Sequence, residues 1–282
     1  MSGGFSEFVS MMYRPFLMCL ILTGIHAYLG MHVVERGVIF VDLALAQIAA
    51  LGATIGFLLG YGLHSPADYG FSLSFTFIGA VLFAVTRFRK QKVPHEAIIG
   101  IVYAVSAAAT ILILSRAAGG SEEIKEVLVG NILLVDWPEI WPTFLIYAFI
   151  GLVHWLCRKP LLLISSNPQA AFDKGMAVRW WDLLFYVTFG VVVTSSVKVA
   201  GVLLVFSFLV VPAVCAVLLT NKTSHRLWIG WLLGTLTSVV GMGASYFLDL
   251  PTGAAVVCVF GVLLAIVSGI SALRSTPAPR AP

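Results

Sequence analysis

The chain has 282 residues, 60% of them hydrophobic and only 11% charged, with 17 basic and 13 acidic side chains. Soluble domains carry about 25% charged residues, so this chain cannot cover a water-facing surface, and a soluble enzyme is excluded. Apolar residues recur along the whole length, with a mean hydropathy of +1.00, which excludes a single-anchor protein as well and marks an all-α, polytopic membrane protein.

In chain order, nine apolar segments fall near residues 16–34, 38–63, 70–86, 96–114, 140–157, 181–197, 199–219, 227–248 and 252–273. They form one transmembrane domain with its membrane core over residues 15–274. No basic region precedes the first segment, so it reads as a retained helix rather than a signal peptide. The sixth and seventh segments are nearly continuous, yet one helix over residues 181–219 would be about 58 Å long, almost twice the hydrocarbon core. Ser195, Ser196 and Lys198 are the expected polar turn between them. Residues 121–135 are too short to span, and the acidic start at Glu122, Glu123 and Glu126 predicts an amphipathic helix on the outer surface. The Pro-rich tail over 275–282 is expected to be disordered. Cys19, Cys157, Cys215 and Cys258 lie in apolar runs without CxxC spacing, and read as packing residues.

With the N-terminus outside, the inside loops hold 13 basic residues and the outside loops four. That asymmetry follows the positive-inside rule and predicts nine spans with the C-terminus inside. All seven Trp residues sit near segment ends, as an interfacial belt requires. No nucleic-acid partner is expected. The sequence has no GxxxxGK[ST], so energy for transport must come from an ion gradient or from a separate ATP-binding subunit. HExxH, GxSxG and CxxC are absent too.

Ionisable residues inside a span are costly and mark function by default. The richest stretch, residues 24–52, carries His26, His32, Glu35, Arg36, Asp42 and Gln47. His26 lies mid-span, with a pathway role and a packing role both open. His32 is near the inner interface and is expected to be wet. Glu35 and Arg36 read as a solvated turn, and Asp42 as a cap or a partner of Arg36. Gln47 fits either a helix-to-helix hydrogen bond or a substrate contact. Asp42 and Gln47 are about 140° apart around a helix, so they do not share a face. His154 reads as interfacial; His64, His95 and His225 as loop residues. Gly52, Gly56 and Gly60 form a small-residue stripe of the kind that lets helices approach closely.

Five stretches in order resemble one family. They are GMHVVERGVIFVDLALAQIAALG, EAIIGIVYAVSAAATILIL, EEIKEVLVGNILLV, VKVAGVLLVFSFLVVPAVCAVLLT and SYFLDLPTGAAVV. Together they resemble the permease subunits of zinc, manganese and iron ABC importers, of the type II importer kind. The resemblance implies a homodimeric permease in the lipid bilayer of a prokaryote's inner membrane, with a central pathway for a divalent metal. It also implies a cytoplasmic ABC ATPase, which holds the ATP, and an external metal-binding protein. The permease itself would be no enzyme and would hold no stable cofactor, the metal being cargo. The longest inside loop, residues 158–180, lies where the family places its ATPase-contacting helix, and Asp173, Lys174, Gly175 and Met176 are the implied coupling residues. His26, His32, Asp42 and Gln47 are the implied pathway residues, with His26 and Asp42 as metal candidates. Family members often carry Asp-Ala-Leu-Ser-His in the second helix. Anchored on Gly52, the His position falls here on Gln47 and the Asp position on Leu43. Gln is a poor zinc ligand, which puts the metal-coordinating step in question. An ion-coupled secondary transporter is the main alternative and a membrane-embedded enzyme a further one; the scarcity of mid-span carboxylates argues against the first, and the missing catalytic motifs against the second.

Overall fold

The computed structural model describes residues 2–61, 65–87, 93–115 and 132–274. Among these residues it is helical without a strand, and nine helices are long and apolar enough to cross a membrane. The spanning helices are α1 (Ser2–Arg36), α2 (Val41–Leu58), α3 (Pro66–Val85), α4 (His95–Leu114), α5 (Trp137–Leu156), α8 (Val178–Ala200), α9 (Val202–Leu219), α10 (Thr223–Leu248) and α11 (Thr252–Arg274). Two short helices, α6 (Arg158–Ser166) and α7 (Pro168–Asp173), fill the connection from α5 to α8. Of the expected outer segment, residues 121–131 lie outside the described residues, and Ile132–Leu134 form a 3₁₀ turn. The tail over 275–282, His64, Arg89, Lys90, Lys92, Arg116 and Lys125 also lie outside them.

The expected turn between the sixth and seventh segments moves. Ser195, Ser196 and Lys198 stay inside α8, and the chain breaks at Gly201, which has φ +76. Ser195 and Ser196 remain helical because their hydroxyls bond back to the carbonyls of Val191 and Val192, a pattern compatible with helix in an apolar setting. Only a residue without a Cβ adopts the φ of Gly201 without strain, so the polarity of the preceding residues does not decide the break. The first helix also begins earlier than expected, at Ser2 rather than near residue 16.

Helices α2, α3, α4 and α8 pack as one group, and α1, α9, α10 and α11 as another. α5 touches α1 and α8 and so joins the two groups. Phe83, Phe185, Tyr186, Phe189, Phe208 and Phe260 are fully buried in one continuous core. Close approach depends on two glycines in particular. A Cβ on Gly30 of α1 would sit 1.9 Å from the Leu209 carbonyl oxygen of α9, and one on Gly52 of α2 would sit 2.6 Å from the Phe71 carbonyl oxygen of α3. Gly60, by contrast, has φ +88 just past the end of α2, so it terminates the helix rather than extending the stripe.

Candidate functional site

Polar residues gather at two levels of the bundle. The first lies deep between α1, α5 and α8. His26 is fully buried, with Nδ1 2.8 Å from the Leu22 carbonyl oxygen and Nε2 3.1 Å from the Ser196 hydroxyl. A carbonyl can only accept, so Nδ1 carries the proton, while the Ser196 hydroxyl beside Nε2 gives its own proton to the Val192 carbonyl. The Tyr147 hydroxyl bonds to Ser196 and also lies 3.3 Å from the Ser195 hydroxyl. On the far side of α8, Thr194 lies 2.9 Å from Thr76 of α3. Next to this network, α1 and α5 leave a groove of about 400 Å³ walled by Leu20, Ile21, Ile25, Phe144 and Ala148, with Tyr147 reaching it.

The second level is the end of the bundle that carries α6 and α7. Here Arg36, at the end of α1, and Arg87, just after α3, both donate to the same oxygen, Oδ1 of Asp182 on α8, at 2.6 and 2.8 Å. The side chains of Arg36 and Asp182 are 0% exposed and that of Arg87 is 8% exposed. Arg36 Nε also donates to the Ser165 hydroxyl of α6 at 2.8 Å, and that hydroxyl lies 2.7 Å from His32 Nδ1. Arg87 reaches the Ile164 carbonyl of α6 at 3.4 Å. The Arg36 guanidinium lies 4.0 Å from the centroid of the Phe185 ring, a cation–π contact.

This geometry corrects several expectations. Arg36 is a buried ion-pair partner rather than part of a solvated turn, and it pairs with Asp182 rather than Asp42. His32 is not wet: α6 folds over it, and it is 1% exposed. His154, in the last turn of α5, is packed rather than exposed: it is 1% exposed and its Nε2 lies 2.7 Å from the Thr188 hydroxyl. His95 is not a surface loop residue; it opens α4 in a buried position, 3.3 Å from the Thr86 hydroxyl. Glu35 is half-buried and pairs with Arg226 of α10 at 3.2 Å. Sequence reasoning missed Asp182 and Arg87. The available signal was that Asp182 is the only acidic residue in its apolar segment.

The four pathway candidates do not converge within one chain. His26 belongs to the deep network and His32 to the α6 end. Asp42 is buried in the first turn of α2, and its Oδ1 finds no partner among the described residues. Beside it, Glu96 of α4 accepts the Phe40 backbone N–H at 2.9 Å. Gln47 is half-buried on α2. Among the described residues no group of three or more His, Cys, Asp and Glu is placed to hold a metal ion.

The four coupling candidates do cluster. Asp173, Lys174 and Gly175 are exposed around the tight turn after α7, where Gly175 has φ +70. Asp173 accepts a hydrogen bond from Gln169 at 3.0 Å. Met176 tucks under the turn against a small apolar cluster of Ile164, Ala171 and Val178, separate from the main core. Trp181 packs on both clusters and bridges them.

The arrangement of helices is shared with solved permeases. The chain superposes on PsaBC from Streptococcus pneumoniae, solved in complex with a Fab, with a TM-score of 0.76, 21% identity, and coverage of 93% of this chain and 95% of that one. It also superposes on an inward-facing conformation of a putative metal-chelate type ABC transporter, with a TM-score of 0.71 and 17% identity over 92% of this chain and 85% of that one. Among curated proteins, it is 27% identical to the manganese transport system membrane protein MntC of Halalkalibacterium halodurans, covering 93% of this chain and 88% of the relative. It is also 27% identical to a probable iron transport system membrane protein of Haemophilus influenzae, covering 87% and 85%. The profile of one family, described as the ABC 3 transport family, matches residues 9–271. With nine candidate spans and that match over nearly its full length, the chain belongs to the ABC 3 transport family.

Proposed function

We propose that this chain is the permease subunit of an ATP-driven importer for divalent metal ions, working as a homodimer in the inner membrane. The observation that carries the reading is the family match over residues 9–271. Within it, manganese is the first cargo to test, with iron next and zinc third. Relatives named for manganese and iron transport support that order. So does the chemistry of α2, where Gln47 offers an amide oxygen, a donor that suits manganese better than zinc. The pathway would run past the half-buried face of α2 that carries Gln47, next to the dimer partner.

The N-terminus would lie outside and the α6–α7 end inside, where Asp173, Lys174, Gly175 and Met176 meet a cytoplasmic ABC ATPase. An external metal-binding protein would deliver cargo to the opposite face. Alternating access then follows from ATP-driven closure of the ATPases against the α6–α7 turn.

The test is uptake by proteoliposomes containing this chain, its ATPase and its metal-binding protein. Manganese uptake is expected to require ATP, and uptake that persists without the ATPase overturns the reading. Gln47→Ala is expected to lower uptake with assembly intact. Gly175→Trp, at a positive φ that side chains resist, is expected to lower the metal carried per ATP hydrolysed. Unchanged values for both variants would remove these residues from the pathway and the coupling surface.

A further inference from the structure

Four separate pieces of chain meet at Asp182, and three of them are far apart in sequence. Its carboxylate is fully buried near the start of α8. Arg36 closes α1, Arg87 follows α3, and both bond to the same Oδ1. The two arginines then fasten α6 from two sides, Arg36 through the Ser165 hydroxyl and Arg87 through the Ile164 carbonyl. The segment that carries the exposed α7 turn is therefore bonded to α1 and to the end of α3 through charged groups. It is not held by apolar contact alone.

We infer that Asp182 is a positioning residue: it latches the α6–α7 segment to α1, α3 and α8, so that a push on this segment moves those helices as one body. The inference rests on the proposed ATPase coupling at this end. Two arguments favour a mechanical role over a purely stabilising one. A buried pair of cations around one anion is not an economical way to gain stability, because desolvation offsets most of the Coulomb attraction. An apolar core would serve stability as well. What charged hydrogen bonds add is direction and a fixed length between named atoms. The second argument is continuity. α8 runs without a break from Asp182 to Ser196, about 21 Å along its axis, and Ser196 is where α8 meets His26 and Tyr147. A rotation imposed at Asp182 reaches the deep polar network through one rigid rod.

The deciding quantity is metal transported per ATP hydrolysed in the reconstituted complex. Asp182→Asn keeps the shape and one oxygen near both arginines but removes the charge that makes those two hydrogen bonds short and strong. It is expected to hydrolyse ATP at a near wild-type rate while uptake per ATP falls by at least about fivefold, the low end of typical coupling energies. Asp182→Glu is expected to recover part of that ratio. A merely structural role would reduce hydrolysis and uptake together and leave the ratio unchanged. If Asp182→Asn does not assemble with the ATPase, Ser165→Ala decides, since it removes one hydroxyl on α6 and leaves the ion pairs in place. A reduced ratio in Ser165→Ala supports the latch, and a wild-type ratio overturns it. If the wild-type complex itself shows no ATP-dependent uptake, the functional reading falls and the latch with it. If the wild type does, and the variants keep its ratio, the latch alone falls.

Discussion

At the scale of single residues, the Arg36–Asp182–Arg87 group sets the energetic risk of the molecule. Each partner is affordable inside the bundle only while the others are present. Asp182→Ala strands two buried guanidiniums, and removing one member of a buried pair costs about 3–5 kcal/mol. The melting midpoint of the detergent-purified chain is expected to fall steeply in Asp182→Ala and less in Asp182→Asn, which keeps a neutral acceptor for the arginines but also leaves them without an anion. Equal midpoints for the two would mean that the hydrogen bonds contribute nothing. The same residues show what the sequence could not reveal. A position near a segment end gives depth in the bilayer, and on depth alone Arg36 and His32 look wet. Whether another piece of chain folds over that end is a lateral question. The partners of Arg36 lie 129 and 146 residues away, and no local pattern encodes such a meeting. The pairing had one visible trace, a lone Asp in an apolar helix, which by its cost had to find a cation.

At the scale of helices, the reading was strong where chemistry is local. Nine apolar runs became nine candidate spans because length and hydropathy alone determine whether a segment can cross. The polar turn at residues 195–198 failed because serine hydroxyls satisfy themselves within a membrane helix, whereas the left-handed φ of Gly201 does break it. Packing between helices was legible only as a tendency. Small residues were visible on α2, yet the tightest approach among the described glycines is at Gly30 of α1, outside that stripe. Gly30→Ala places a methyl group 1.9 Å from a carbonyl oxygen of α9. Backbone cannot give way as a flexible side chain can, so α1 and α9 must separate, at a cost of about 1–3 kcal/mol or more. Gly24→Ala is the matched control, since a Cβ there meets nothing within 4 Å. Thermal unfolding in detergent is expected to separate the two variants clearly. A Gly30→Ala protein as stable as Gly24→Ala would show that the α1–α9 contact is looser than drawn.

At the scale of the whole molecule, the bonds between helix ends sort the junctions onto two faces. Arg36 and Arg87 meet Asp182, Glu35 meets Arg226, and the Phe40 backbone meets Glu96. The end of α1, the start of α2, the end of α3, and the starts of α4, α8 and α10 therefore share one face. On the other face Arg14 pairs with Asp136 just before α5, and Ser245 near the end of α10 bonds to Thr252 at the start of α11. Nine crossings by the helices of the described residues would send the two ends of the chain to opposite sides, and the positive-inside count predicts the α6–α7 face in the cytoplasm. The opposing requirement is strict, because a tenth crossing or a missing one would reverse every face after it. Single cysteines at two exposed positions test this, Glu7→Cys near the start of α1 and Asp173→Cys at the end of α7. Both are made with Cys157 and Cys258 replaced by Ser, while Cys19 and Cys215 are buried and stay. A membrane-impermeant maleimide applied to right-side-out vesicles is expected to modify Glu7→Cys and leave Asp173→Cys untouched, with the reverse result in inside-out vesicles. Modification of both positions from one side would break the alternation between α1 and α5. Modification of Asp173→Cys from outside alone would invert the molecule and take the α6–α7 face away from any cytoplasmic ATPase.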